Sequence, residues 1–298
     1  MSTLARSSPT PRFEPALMRR RLSGTLFYGA CLAALGVTLL AILLLLYDIV
    51  SRGLPHLDVG FLTGVPSRRP ERAGVLPAVV GSVELGVLVA AIAFPLGVAA
   101  GIYLEEYARA SRLNQLLRTN IANLAGVPSI VYGIFGLALF VRALGLGYTL
   151  LAAALTLSLL ILPVVIIATM EAIRSVPSSQ REAAYALGAT RWQVVGGAVL
   201  PAAAPGIMTG IILAMARAIG ETAPLILIGA VAFVTYLPNP VDGGYTVLPI
   251  QVYSWAARFQ PEFQEISATA IIVLLVVLAM LNVLAIVVRV RLSRHLQW

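Results

Sequence analysis

Glu182-Ala-Ala-Tyr-Ala-Leu-Gly188, followed by Leu200-Pro201, lies in a polar segment between two long apolar runs of a very hydrophobic chain. The run Glu182–Leu187 favours helix, and Val176-Pro177-Ser178-Ser179 ahead of it reads as a helix start. Gly188 stands where a left-handed residue most easily ends a helix. Thr190 is placed to cap a restart at Arg191-Trp192-Gln193. Pro201 and Pro205 then break the chain again. The prediction for this segment is a short helix, a glycine turn and a second helix, both held parallel to a membrane surface.

The rest of the chain is built to lie in lipid. It is 59% hydrophobic and 11% charged, with a mean hydropathy of +0.91. A soluble domain carries about 25% charged residues. Apolar runs of about 20 residues recur along it, each long enough to cross a bilayer as a helix. The first, at about 23–50, is too long for the core of a signal peptide and reads as a retained span. Further spans are predicted at about 77–103, 121–142, 147–169, 206–232 and 266–288, with a tight Gly145-Leu-Gly147 turn joining the third to the fourth. The fold class is therefore all-α membrane protein with six transmembrane helices. Residues 1–22 form a polar tail ending in the basic cluster Arg19–Arg21, 23–290 one membrane domain containing the 170–205 loop, and 291–298 a second tail.

Every basic residue is an Arg, and the net charge is +8. Six spans put both termini on one side. The two tails and the segments 104–120 and 170–205 hold more than twice as many Arg residues as Arg52, Arg68, Arg69, Arg72, Arg142 and Arg258 opposite. The excess marks the cytoplasm. Both termini and the 170–205 loop are thus expected to be cytoplasmic, in a multi-pass protein of the cell (inner) membrane. Basicity in such a chain reads as positive-inside loops, with no nucleic-acid partner. Without Lys, a Walker A phosphate loop is impossible, so this chain is no P-loop ATPase. A single Cys31 and two peripheral histidines, His56 and His295, offer no disulfide and no metal site.

Two ionisable residues fall within the predicted fifth span, Arg217 and Glu221, in Ala216-Arg-Ala-Ile-Gly-Glu-Thr-Ala-Pro224. At i and i+4 they share a helix face. A charged residue at that depth faces a partner or a wet pathway. Two readings stand: a buried pair that fixes helix packing, or a pathway pair in which Arg217 offers a planar fork to an oxyanion and Glu221 holds it in place. Gly126, Pro128, Gly133 and Gly136, with Pro95, Pro163 and Pro224, serve equally as close-packing points or as hinges. Glu84 is expected to reach the interface at the outer end of the second span. Tyr236, Tyr245, Tyr253 and Trp255 read either as an interfacial aromatic belt or as a surface that receives another protein.

The loop resembles the pattern E-A-A, three residues, G, nine residues, I-x-L-P of permease subunits of ABC importers. Glu182, Ala183, Ala184, Gly188, Leu200 and Pro201 match at that spacing, and Ala198 stands where Ile is usual. The resemblance implies a type I importer permease fold, with this loop as a cytoplasmic coupling helix between spans four and five that lies in a groove of a separate ATPase subunit. Three further segments narrow it. Arg217–Pro224, Asn123–Gly136 and Tyr245–Trp255 look like the PstA family, permeases of phosphate importers, and the likeness covers nearly all of 75–290. It implies a PstC-like permease partner, two PstB-like ATPase subunits that bind ATP-Mg, a PstS-like phosphate-binding protein, and no cofactor or covalent chemistry on this chain.

Alternatives in the same class are importers of sulfate or molybdate, which would carry the same loop. An ATP-independent channel or carrier would not need the Glu182–Gly188–Pro201 pattern. An intramembrane enzyme needs a metal set, a Ser/Lys dyad or an Asp pair in the spans. With no Lys, and Asp only at Asp48, Asp58 and Asp242, that reading is poorly supported, and no catalytic residue is expected.

Overall fold

The longest apolar stretch in the first half of the chain forms the longest helix, α1 (Leu17–Gly53). This computed structural model describes residues 17–230, 233–241 and 243–294, so most of the expected N-terminal tail and residues 295–298 lie outside the described residues. The cluster Arg19–Arg21 lies within the described part of α1. The chain divides into two units, the first running to Asp48 and the second from Ile49 onward. In the first unit nearly every described side chain is exposed, Leu, Ile and Val among them, as suits a helix surrounded by lipid or other chains.

The second unit opens with α2 (Val59–Thr63), capped by the Asp58 carboxylate accepting from the Phe61 N–H at 2.6 Å. α3 (Leu76–Ile102) follows and ends in a single wide π-turn, Tyr103–Tyr107. The expected third span is two helices. α4 (Arg112–Ala125) and α5 (Ser129–Gly136, prolonged by a π-turn over Leu137–Ala143) meet at 100° across Gly126-Val127-Pro128. Pro128 cannot supply the N–H that a continuous helix needs there, so the elbow falls where the sequence is weakest.

α6 (Leu150–Arg174) starts at Thr149, whose hydroxyl accepts from the Ala152 N–H at 3.3 Å. It is the most deeply buried span and the axis of the unit. Leu150, Leu157 and Ile161 are fully covered, by Leu85 and Val89 of α3, Tyr132 of α5, and Ala214 and Ala218 further along the chain.

α7 (Ser178–Ala186) and the one-turn α8 (Arg191–Val194) form the loop. Here the expectation needs correcting. α8, a π-turn at Val195–Val199 and α9 (Leu200–Gly220) run on as one helix, Arg191–Gly220. Pro201 and Pro205 do not break it. A proline clashes with the carbonyl four residues back, and the π-turn directly ahead of Pro201 loosens the winding where that clash would fall. Only α7 is therefore a separate helix of the loop. The fifth span also ends at Gly220 and not at 232; Glu221 is extended, and a short α10 (Ala223–Leu227) packs on α5.

α11 (Leu248–Ala256) and α12 (Pro261–Arg294) complete the chain. Trp255 and Tyr245 are buried, while Tyr236 and Tyr253 are exposed. The four aromatic residues read as a belt or as a surface that receives another protein are thus split: Trp255 fills the core among Phe61, Phe263 and Leu248, Tyr245 belongs to the core of Leu85 and Val247, and two face out. Glu84 is half-buried, and one of its carboxylate oxygens is buried with no hydrogen-bond partner among the described residues. Among the described residues five helices are long and apolar enough to span a membrane, six when the α4–α5 pair is taken as one bent span.

Candidate coupling loop and pathway pair

The α7 loop is anchored on one face and bare on the other. Ala184, Ala189 and Leu200 pack inward against Ile173, Val176, Val194 and Val199. Glu182 and Ala183 are exposed, as are Tyr185, Leu187 (88%) and Trp192 (73%). Glu182 forms no hydrogen bond or ion pair among the described residues, which leaves its carboxylate for a group outside the chain. Pro201 is half-buried behind Leu200 at the start of α9. The turn after α7 is closed by Gly188 at φ +82°, whose N–H donates to the Tyr185 carbonyl at 2.9 Å, while Ala189 N–H donates to Ala184 O at 3.2 Å. A side-chain-bearing residue resists that φ, which is why a glycine ends the motif here. Gln193 completes the restart: its carbonyl oxygen accepts from the Thr190 N–H at 2.8 Å.

Sequence reading missed what holds the loop down. Glu105 and Glu106, within the π-turn that ends α3, read only as a polar stretch. The fold surrounds them with arginines distant in sequence. Arg181, the residue before Glu182, donates from Nη2 and Nε to Glu106 Oε1 at 2.8 and 3.1 Å, and also to the carbonyls of Ile173 and Val176. Arg191 donates to the Glu106 carbonyl and lies over the Tyr107 ring, 5.2 Å from its centre. Glu105 pairs with Arg118 of α4 at 2.6 Å and Arg174 of α6 at 3.1 Å. Paired adjacent acids at the end of an apolar run were the available signal, since such acids need cationic partners once half-buried.

The second site lies far along α9. Seventeen residues separate Leu200 from Arg217, about 25 Å of helix. Arg217 Nε donates to Glu221 Oε1 at 3.3 Å, so the predicted pair forms. The arginine side chain is 44% exposed and the glutamate 18%. Glu221 is no longer helical, so the pair spans the last turn of α9 and the break before α10. There α5 and α10 cross closely: a Cβ on Gly133 would sit 2.7 Å from the Pro224 backbone. Among the described residues no group of three His, Cys, Asp or Glu could hold a metal ion.

Residues 93–297 match the family described as "Binding-protein-dependent transport system inner membrane component". The chain belongs to this family. It is a multi-pass inner-membrane permease subunit of an ABC importer. The permease is 34% identical over 284 residues to the "Phosphate transport system permease protein PstA 1" of Mycobacterium tuberculosis (strain CDC 1551 / Oshkosh), covering 93% of this chain and 92% of the relative. It is 37% identical over 212 residues to the "Probable ABC transporter permease protein YqgI" of Bacillus subtilis (strain 168), covering 70% and 71%. A bacterial alginate ABC transporter, solved with its alginate pentasaccharide-bound periplasmic protein, superposes with a TM-score of 0.68 at 15% identity, over 93% of this chain and 98% of that one. At that identity the likeness speaks for the fold, that of a type I importer permease.

Proposed function

We propose that this chain is the PstA-type permease of an ATP-driven phosphate importer. The observation that carries the reading is Arg217: a guanidinium inside a span, 44% exposed on this chain and steadied by Glu221. It stands in the last turn of α9, and a charge bordering lipid is costly, so its open face calls for a second subunit or a wet pathway. A guanidinium fork matches a phosphate oxyanion, and a glutamate on its flank keeps a passing anion from being held too tightly. The phosphate permeases among its relatives support the same substrate.

In this reading both termini and the α7 loop are cytoplasmic, as the Arg bias favours. A homologous PstC-like permease forms the other half of the pathway, and a PstS-like binding protein delivers phosphate from the opposite side. Two PstB-like subunits bind and hydrolyse ATP-Mg. Their closure moves α7, whose exposed Glu182, Ala183, Tyr185 and Leu187 meet the ATPase groove, while Gly188, Leu200 and Pro201 hold its geometry. This chain contributes no covalent chemistry.

The test is uptake of labelled phosphate by cells lacking the chain, with and without it restored, with sulfate and molybdate alongside. Restored ATP-dependent uptake of phosphate alone is expected. A response of another oxyanion instead would leave only the importer class standing. Arg217→Ala is expected to abolish uptake while the complex assembles and hydrolyses ATP; loss of assembly would make the pair a packing contact.

A further inference from the structure

We propose that Glu106 and Arg181 form the joint through which movement of the α7 loop enters the membrane spans, and that Glu105 passes it on to α4. The inference rests on the coupling role of α7 proposed above. Glu105 and Glu106 are adjacent, their side chains are only 16% and 10% exposed, and each is paired to different helices. Arg181 gives Glu106 two hydrogen bonds and gives one each to Ile173 O (2.9 Å) and Val176 O (2.7 Å). A guanidinium fixed on three acceptors has one orientation, which a lysine cannot copy. On the far side of the Gly188 turn, Arg191 grips the same segment through the Glu106 carbonyl and the Tyr107 ring. Both halves of the loop therefore clasp one π-turn.

Apolar packing makes this connection only in part: Leu104 of the π-turn clusters with Ile166 and Met170, and Ile121 of α4 packs against them. The cluster beneath α7 draws on α6, α8, α9 and the end of α3, but on nothing in α4. The directional, polar route to α4 is Glu105 to Arg118, whose guanidinium also donates to the Leu104 carbonyl. From α4 a continuous series of packed elements leads onward. The 100° elbow joins α4 to α5, α5 crosses α10 at Gly133 and Pro224, and Pro224 stands three residues from Glu221, the partner of Arg217. A π-turn is a loosened piece of helix, common at functional positions, and is suited to shift as a unit. Contiguity alone does not establish coupling, so the experiment measures coupling directly.

Phosphate moved per ATP hydrolysed is measured in vesicles containing the complete importer, for the wild type, Glu106→Gln, Arg181→Met, the double variant and Arg181→Lys. Each neutral single variant is expected to lower that ratio about tenfold, with ATP turnover held within about twofold, and the double variant to be no worse than either single one. Arg181→Lys should recover part of the ratio. An unchanged ratio, additive losses in the double variant, or complexes that fail to assemble would each overturn the inference, the last by making the pair a folding contact. If the wild-type importer itself moves no phosphate, the functional reading fails, an outcome separate from these.

Discussion

The two ends of α3 are held in opposite ways. At its start, Val75 and Ala78 lie in a dry cluster with Phe61, Leu248, Trp255 and Phe263, in which the Phe61 and Trp255 rings stand 5.9 Å apart. Polar links there are few and buried, such as the Ser82 hydroxyl accepting from the Leu248 N–H at 2.8 Å. At its other end, Glu105 and Glu106 are gripped by Arg118, Arg174 and Arg181. Apolar packing is non-directional and close-fitted, and parting it forfeits many contacts at once. Ion pairs near a surface are directional and individually modest, and they can re-form in a new arrangement. The aromatic end has the character of a fixed scaffold, and the charged end that of a moving part beside the exposed α7.

The sharpest way to break this contrast is at Trp255, which is 1% exposed. Trp255→Ala should destabilise the permease by about 3–5 kcal/mol, the range for deleting a large core aromatic. Thermal unfolding in detergent would read it. Should the loss be smaller than that from Glu106→Gln, the assignment of scaffold and moving part is reversed.

A smaller effect is expected at the turn that closes α7. At Gly188 an added Cβ meets nothing within 4 Å, so the penalty of a side chain is one of backbone alone. Gly188→Val should cost about 1–2 kcal/mol at φ +82°, and Gly188→Asn should cost less, since Asn tolerates that region. Affinity for the proposed ATPase subunits is the measurement. Equal losses for Val and Asn would mean that the glycine is needed for close approach of the partner and not for the turn.

Much of this was legible in the sequence because it depends on neighbours. The apolar runs, the cap at Thr190, the Gly188 turn and the Arg217–Glu221 spacing are all set by residues within a few positions of one another. The run Arg191–Gly220 was misread for a related reason: Pro201 is a local breaker, but the π-turn that accommodates it has no sequence signature in Val195-Gly-Gly-Ala-Val199. The elbow at Gly126–Pro128 carried its own signal, yet the expected span at 121–142 took in only the apolar end of α4, most of whose polar residues lie at 112–120. The acids Glu105 and Glu106 were visible, but their partners were illegible because these lie 13 to 85 residues away, a proximity that only the assembled helices create.

The hub itself is graded, and that grading supplies the finest test. Arg174 is 51% exposed and shares its guanidinium between Glu105 and Glu171, the latter 61% exposed. Arg118 is 30% exposed and meets the same Glu105 at 2.6 Å. Solvent screening leaves exposed pairs worth roughly 0–1 kcal/mol, so Arg174→Gln should shift unfolding by less than about 1 kcal/mol and fade further in high salt. Arg118→Gln should cost more, because it strips a half-buried carboxylate of its closest cation and leaves α4 held to the π-turn by the packing of Ile121 on the Leu104 cluster alone. If the two variants are equal in stability and in salt response, Glu105 is merely neutralised by whichever arginine is near. If Arg118 dominates, the carboxylate is tied to α4 in particular, as a connection from the loop to the bent span requires.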